Sequence, residues 1–391
     1  MNFITLSIAL LITFVTYAAA VLWGDHSGAA LALLALAVMF VACIMISGIV
    51  ERGGLLRVLF GVYFILGYIF PGMLHAASGA YPYFGITYDE ETVFTASLIV
   101  VIFAAFALLG STLASLRPHR QFPVEQDALV PQMRVGAIVG LCAMTMVLVL
   151  LIGPSAFIRR RSDEFMTGVG SFETLLILMS IARSLPVLAV CASLHRRWCG
   201  GWSLTNIALF SLSLICVSVT NFPLAVPRFA LVGVVVTVLH FAVDISAPRF
   251  KFLFVASVVA GIVTVFPLLS FLQRGVEGTA FEINPLSYLA ISVDLDGFQS
   301  TANIVQVVDA NKLYWGWQLL SSAFFWVPRS IWPDKGQPSG AIGADYVGYP
   351  FNNISAPLPS ELYIDFGFVG CMIGGLLVGY LITRLDRSFL H

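Results

Sequence analysis

Trp326–Gly367 reads WVPRSIWPDKGQPSGAIGADYVGYPFNNISAPLPSELYIDFG, a polar interval rich in glycine and proline within an otherwise apolar chain. A bilayer protein keeps such a segment for work outside the lipid. Here that work involves fixed cations, Arg329 and Lys335, together with Glu361 and Asp365 where a hydrophobic run resumes. Glycines such as Gly340 let backbone approach a ligand closely. Cations, carboxylates and pliant backbone together describe a site for an anionic ligand.

Outward from this stretch, the chain is 59% hydrophobic and only 10% charged. Soluble domains carry about 25% charged residues, so this chain has too little polar surface to cover a water-exposed fold. Apolar runs of roughly 20 residues recur about ten times. They lie near 3–23, 28–49, 55–74, 93–114, 135–153, 174–194, 203–220, 227–245, 252–271 and 361–383. The expected fold is all-α, a polytopic integral membrane protein forming one domain over residues 1–391. The first run is too long, and too soon followed by a second, for a cleaved signal peptide, and we read it as retained.

Lys and Arg set the orientation. Arg52 and Arg57, then Arg117, Arg120 and Arg134, then Arg196 and Arg197, then Arg249 and Lys251, then Arg384 and Arg387 occupy alternate connections. Those connections are expected inside, and both termini with them. The opposite loops carry Asp25 and then Asp89, Glu90 and Glu91. None of the six cysteines falls in an outer loop, so no disulfide is expected.

Two outer loops, 154–173 and 272–360, hold the candidate chemistry. In the first, Arg159, Arg160 and Arg161 stand on the face where cations are otherwise missing, beside Asp163 and Glu164. They form either a solvated, salt-bridged turn or a phosphate clamp, since guanidinium forks match phosphate oxygens. The second loop contains ISVDLDGFQSTANIVQVVDA, residues 291–310, whose apolar positions at helical spacing predict an amphipathic helix along the membrane surface. The aromatic segment 314–327 is short for a crossing, and its tryptophans suit the interface belt.

Arg183 lies about halfway through the sixth run, where a charge usually faces a cavity or a structural partner. Arg228 opens the eighth run, as a functional cation or a snorkelling one. Glu361 can act as a general base or favour a helix N-terminus, with Asp365 and Asp345 as secondary carboxylates. His75 reads as an interfacial residue. Asp294 and Asp296, two apart, do not share a helix face as a metal pair would need, and no metal or cofactor is expected. There is no support for nucleic-acid binding.

PRSIWPDKGQPSG followed by APLPSELYIDFGFVG resembles the O-antigen and capsular repeat-unit polymerases of the Wzy type, over about the last 65 residues. NFPLAVPRFALVG around Arg228 is similar to a further family element. So is an Arg with Gly eleven positions on, as in Arg159 with Gly170 and Arg329 with Gly340. The resemblance implies a glycosyltransferase C-like helical membrane fold in the bacterial plasma membrane. It implies metal-independent, inverting glycosyl transfer on the outer face between polyprenyl-pyrophosphate-linked oligosaccharides. Donor, acceptor and membrane lipid are the implied partners, with the chain-length regulator and flippase of the same pathway. For that reaction, charge and position make Arg329, Glu361 and Arg228 the expected catalytic residues. Arg159–Arg161, Lys335, Gly170, Gly340, Arg183, Asp345 and Asp365 are the implied contacts to pyrophosphate and glycan. An O-antigen ligase with the same donor chemistry is the alternative. A lipid-linked oligosaccharide flippase is another, although the chain shows no duplicated halves.

Overall fold

The computed structural model describes residues 3–24, 28–51, 53–117, 134–158, 172–201, 203–242, 247–268, 285–311, 313–327, 329, 331–354 and 356–388. It is all-α, with no strand among the described residues. Long apolar helices are α1 (Phe3–Trp23), α2 (Ala29–Val50), α3 (Leu55–Ser78), α4 (Glu90–Leu116), α5 (Val135–Ile152) and α6 (Phe172–Gly200). Then come α7 (Leu204–Thr220), α8 (Arg228–Ala242) and α9 (Pro248–Ala260), the last running on as a π-turn at Gly261–Val265. The polar region holds α10 (Pro285–Ile291), α11 (Gly297–Asn311), α12 (Trp317–Ala323) and α13 (Ser339–Tyr346), and α14 (Leu358–Ser388) closes the chain. Seven helices among the described residues are long and apolar enough to cross a membrane, and α7 and much of α8 are shorter apolar helices. The protein is thus an all-α, multi-pass membrane protein.

The chain divides into two compact units. In the second unit, Phe122–Ile245 with Ala260–Ile283, α5, α6, α7 and α8 pack through buried aliphatic clusters. One gathers Ile138, Cys142, Ala189, Leu209 and Cys216, and another Leu148, Val149, Phe157, Leu175 and Met179. The five described cysteines are all free and buried.

In the first unit, Met1–Gln121 with Ser246–Val259 and Asn284–Leu390, the spine is the pair α4 and α14. Lipid supplies no hydrophobic force between helices, so close backbone approach through small residues has to do that work. A Cβ on Gly379 would overlap the carbonyl oxygen of Ala107, one on Gly375 that of Phe103, and one on Gly110 that of Leu376. Farther along, Thr383 Oγ1 donates to Ser111 Oγ at 2.8 Å. At that end an ion cluster ties α2, α3, α9 and α14 together. Arg57 pairs with Asp386 (2.9 Å) and Glu51 (2.8 Å), Arg387 pairs with Glu51 (2.9 Å), and Lys251 Nζ donates to the Gly48 carbonyl (2.6 Å).

Two features depart from the sequence reading. The last apolar run is not one straight span from 361. Gly367 has φ 61° and ψ −149°, a region open essentially to glycine alone. There the chain doubles back, so that Leu362 packs on Gly370 and Gly374, and Cys371 Sγ donates to the Pro359 carbonyl at 3.4 Å. In a straight helix, residues twelve apart would stand about 18 Å apart. The crossing proper therefore follows Gly367, and Leu358–Phe366 is a short helix lying against it.

The second departure concerns His75, read as an interfacial residue. It is fully buried, and its Nε2 lies 2.8 Å from the Ala290 carbonyl oxygen between the rings of Tyr81 and Phe298. The expected amphipathic helix forms as α11, with its polar side covered as well as its apolar one. Gln299, Thr301 and Asn303 are as buried as Phe298, Ile304 and Val305, because tyrosine hydroxyls and backbone groups satisfy them.

Gly379→Ala forces the α4–α14 backbones apart and is expected to cost about 1–3 kcal/mol, as overpacking does. Gly136→Ala meets nothing within 4 Å and is expected to leave stability unchanged or slightly raised. Thermal unfolding of the two purified variants in detergent distinguishes them.

Candidate functional site

The site is assembled from the reversal outward. Asp365, two residues before Gly367 and wholly buried, accepts from the backbone N–H groups of Gln318 (3.1 Å, Oδ1) and Leu319 (2.7 Å, Oδ2). Those are donors that the first turn of a helix leaves unpaired, so the carboxylate holds α12 by its N-terminus. Backbone bonds from Tyr314 to Ile364 and from Trp315 to Asp365 complete the joint (3.0 and 2.9 Å). Trp315 takes φ 54°, a strained angle for an aromatic residue, and Gly316 follows at φ 87° against Phe366. The tryptophans at 315, 317 and 326 are exposed.

From α12, Ser321 Oγ accepts the Gly336 N–H at 3.0 Å. This docks the PRSIWPDKG loop onto the helix, and a side chain at 336 would crowd Gln318 and Ser321. Within the loop, Arg329 donates to the carbonyls of Lys335 (2.6 Å) and Gly336 (3.2 Å), while Lys335 Nζ donates to those of Phe325 (2.7 Å) and Val327 (3.2 Å). Carbonyl oxygens fix both cations in place without cancelling their charge.

Glu361 stands in the first turn of the short helix Leu358–Phe366 and is partly exposed. Ser339 Oγ, at the start of α13, donates to its Oε2 at 2.7 Å. Ser321, Ser322, Phe325, Arg329, Lys335, Gly336, Gln337, Pro338 and Glu361 line one cavity of about 250 Å³. Its lining includes two cations and a carboxylate, one oxygen of which accepts from Ser339. Such a cavity can hold a leaving anion and take a proton from a hydroxyl.

Three of the expected residues therefore share this cavity: Arg329, Lys335 and Glu361. Gly340 lies beside it, where a Cβ would overlap the carbonyl of Ile354, so its role here is close packing of α13 on the backbone of Ile354 and Ala356. Asp345 is exposed near the far end of α13, away from the cavity lining. Asp365 shares a helix face with Glu361 but is committed to α12. Arg183, in the other unit, donates to the Ala225 carbonyl at 3.5 Å, and its own carbonyl accepts from Asn221 at 3.2 Å. Arg228 opens α8, and its side chain lies outside the described residues, as do Arg159, Arg160, Arg161 and Gly170. Sequence reasoning missed Ser321 and Ser339, ordinary serines whose only signal was placement just before and within the polar stretch.

No family model matches the chain, and no solved structure matches it. Two curated proteins do, each an O-antigen polymerase, from Salmonella typhimurium and Salmonella typhi. Each is 33% identical over 150 residues, covering 35% of this chain and 33% of the relative. The alignment thus spans about a third of the length of these relatives, and it agrees with the resemblance carried by the C-terminal motifs.

Asp365→Ala removes the acceptor for two buried N–H groups and is expected to cost about 2 kcal/mol of stability. Asp365→Asn, which keeps one acceptor oxygen, should lose clearly less. Chemical denaturation followed by the fluorescence of Trp315 and Trp317 reads this directly, and equal losses would sever Asp365 from α12.

Proposed function

We propose that this chain polymerises oligosaccharide repeats carried on polyprenyl pyrophosphate, at the outer face of the bacterial plasma membrane, as an inverting glycosyltransferase that needs no metal. The observation that carries the reading is the single cavity lined by Arg329, Lys335 and Glu361, supported by the similarity to O-antigen polymerases.

The acceptor hydroxyl of one lipid-linked repeat attacks the anomeric carbon of the growing glycan. Its proton passes to Glu361, which Ser339 orients through Oε2. The bond from the anomeric carbon to the pyrophosphate oxygen breaks with inversion, and the departing lipid pyrophosphate takes the electron pair. Arg329 and Lys335, already held by carbonyls, stabilise that developing charge with little rearrangement. On their positions in the sequence alone, Arg228 and the arginines at 159, 160 and 161 are further contacts for substrate phosphate. Gly170 belongs to the same loop as that arginine run. Arg183 and Asp345 support the architecture or bind glycan peripherally, and Asp365, buried on α12, supports the architecture. A chain-length regulator and a flippase acting on the same lipid-linked repeat are the natural partners, and both termini lie in the cytoplasm.

Arg329→Ala is expected to lower polymerisation about 10²–10³-fold, the cost of removing one preorganised charge-stabilising donor. A deletion strain complemented with it should then carry a single repeat in place of a ladder. A normal ladder removes Arg329 from the chemistry, and loss of all glycan, including single repeats, points to a flippase. Glu361→Gln keeps an oxygen for Ser339 and should alter stability by less than about 0.5 kcal/mol while lowering turnover about 10²–10⁴-fold. Turnover by the purified protein in excess chelator checks metal independence, and rescue by an added divalent cation would contradict it.

A further inference from the structure

Some distance from the cavity, the first unit presents a cluster of aromatic rings that the reaction above does not use. Tyr83 and Phe84, between the end of α3 and the Asp89 cap of α4, meet Tyr349 and Phe351, on the chain between α13 and the short helix at 358. The ring centroids lie 5.2 to 6.1 Å apart. Phe84 is 57% exposed and Phe351 39%. Phe84 also holds φ 57°, a left-handed angle that a bulky side chain adopts only when its surroundings impose it. A strained backbone that turns a phenylalanine toward solvent is a feature of binding surfaces more than of folding cores.

The underside of the cluster is pinned by buried amides. Gln299 accepts the Tyr83 N–H at 3.0 Å and donates to the Tyr83 carbonyl (3.3 Å) and the Tyr349 hydroxyl (2.9 Å). Asn303, one turn later on α11, donates to the Tyr349 hydroxyl at 3.4 Å and accepts from Tyr88 at 2.5 Å. The polar groups below are thus engaged with one another, which leaves ring surface facing outward on a rigid base.

The cluster is joined to the cavity through α13. α13 begins at Ser339, on Glu361, and ends beside Tyr349, while the returning chain from Phe351 packs Ile354 back on Gly340. Eight helical residues separate the two places by roughly 10 Å. A short oligosaccharide spans such a distance, whereas a single sugar does not.

We propose that Phe84 and Phe351, backed by Tyr83 and Tyr349, form a stacking platform for a pyranose ring of the glycan, a few sugars from the bond being made. The C–H face of a pyranose packs on aromatic rings, and its hydroxyls remain free for water. This deepens the polymerase reading and rests on it for the identity of the glycan.

The test uses the full-length protein in nanodiscs. The probe is the lipid-free repeat oligosaccharide released by mild acid from the lipid-linked pool of the producing strain. Saturation-transfer NMR should show sugar protons receiving magnetisation from wild type and from Arg329→Ala, but not from Phe84→Ala/Phe351→Ala. In turnover assays that double variant should raise the acceptor KM about tenfold with kcat within about twofold, because the rings bind ground state and transition state alike. Phe84→Trp should restore binding, whereas a purely structural role would be worsened by the larger ring. Equal saturation transfer to wild type and the double variant overturns the platform, and so does an unchanged KM. Should wild type polymerise normally while the double variant binds as well as wild type, the platform fails and the polymerase reading stands. Should wild type bind the oligosaccharide through these rings without polymerising it, the platform stands and the polymerase reading fails.

Discussion

The candidate site depends on one backbone conformation. Gly367 places the chain where only a residue without a side chain fits, and it reverses an apolar run that would otherwise cross as a rod. Everything in the cavity follows from that reversal. The short helix Leu358–Phe366 carries Asp365, which fixes the N-terminus of α12. Through Ser321, α12 in turn fixes the loop that bears Arg329 and Lys335. The same short helix carries Glu361 into the lining of the same cavity. Cations and carboxylate come from segments more than twenty-five residues apart in sequence, yet they are placed by one chain of contacts.

Hydropathy made the membrane class and most of the spans readable, because an apolar run long enough to cross is a local property. It could not show the break in the last run, since LYIDFGFVGCMIGG stays apolar on both sides of Gly367 apart from Asp365, and a lone acid at the start of a span reads as a helix N-terminal charge and not as a reversal. The amphipathic pattern of residues 291–310 was read as a helix, which it forms over part of its length. Its surroundings were not readable, because whether Gln299 and Asn303 meet water or tyrosine hydroxyls is decided by residues some two hundred positions away. For the same reason His75 looked interfacial at the end of its helix and is enclosed by α10 and α11.

Individual charges show where a local reading stops. Glu361 and Asp365 were seen to share a helix face, and they do. Their tasks differ because one faces a cavity and the other faces two N–H groups that had no other acceptor. Arg57, Lys251 and Arg387 were read only as orientation charges in short loops. They also clamp four helices together, and that role needs partners, Glu51 and Asp386, supplied by separate helices.

The two clusters of cations in this unit make a useful contrast. At the α14 C-terminal end, Arg57 and Arg387 each meet a carboxylate, Asp386 or Glu51, and the cluster serves as a fastening. In the polar loop, the described hydrogen bonds of Arg329 and Lys335 go to backbone carbonyls, which orient a cation without neutralising it. A dianionic group entering the cavity gains two positioned positive charges, and one whose charge grows as a bond breaks gains more with each increment. Arginine thus holds the fold together where carboxylates stand among its acceptors, and in the polar loop the described bonds of Arg329 go to carbonyls alone.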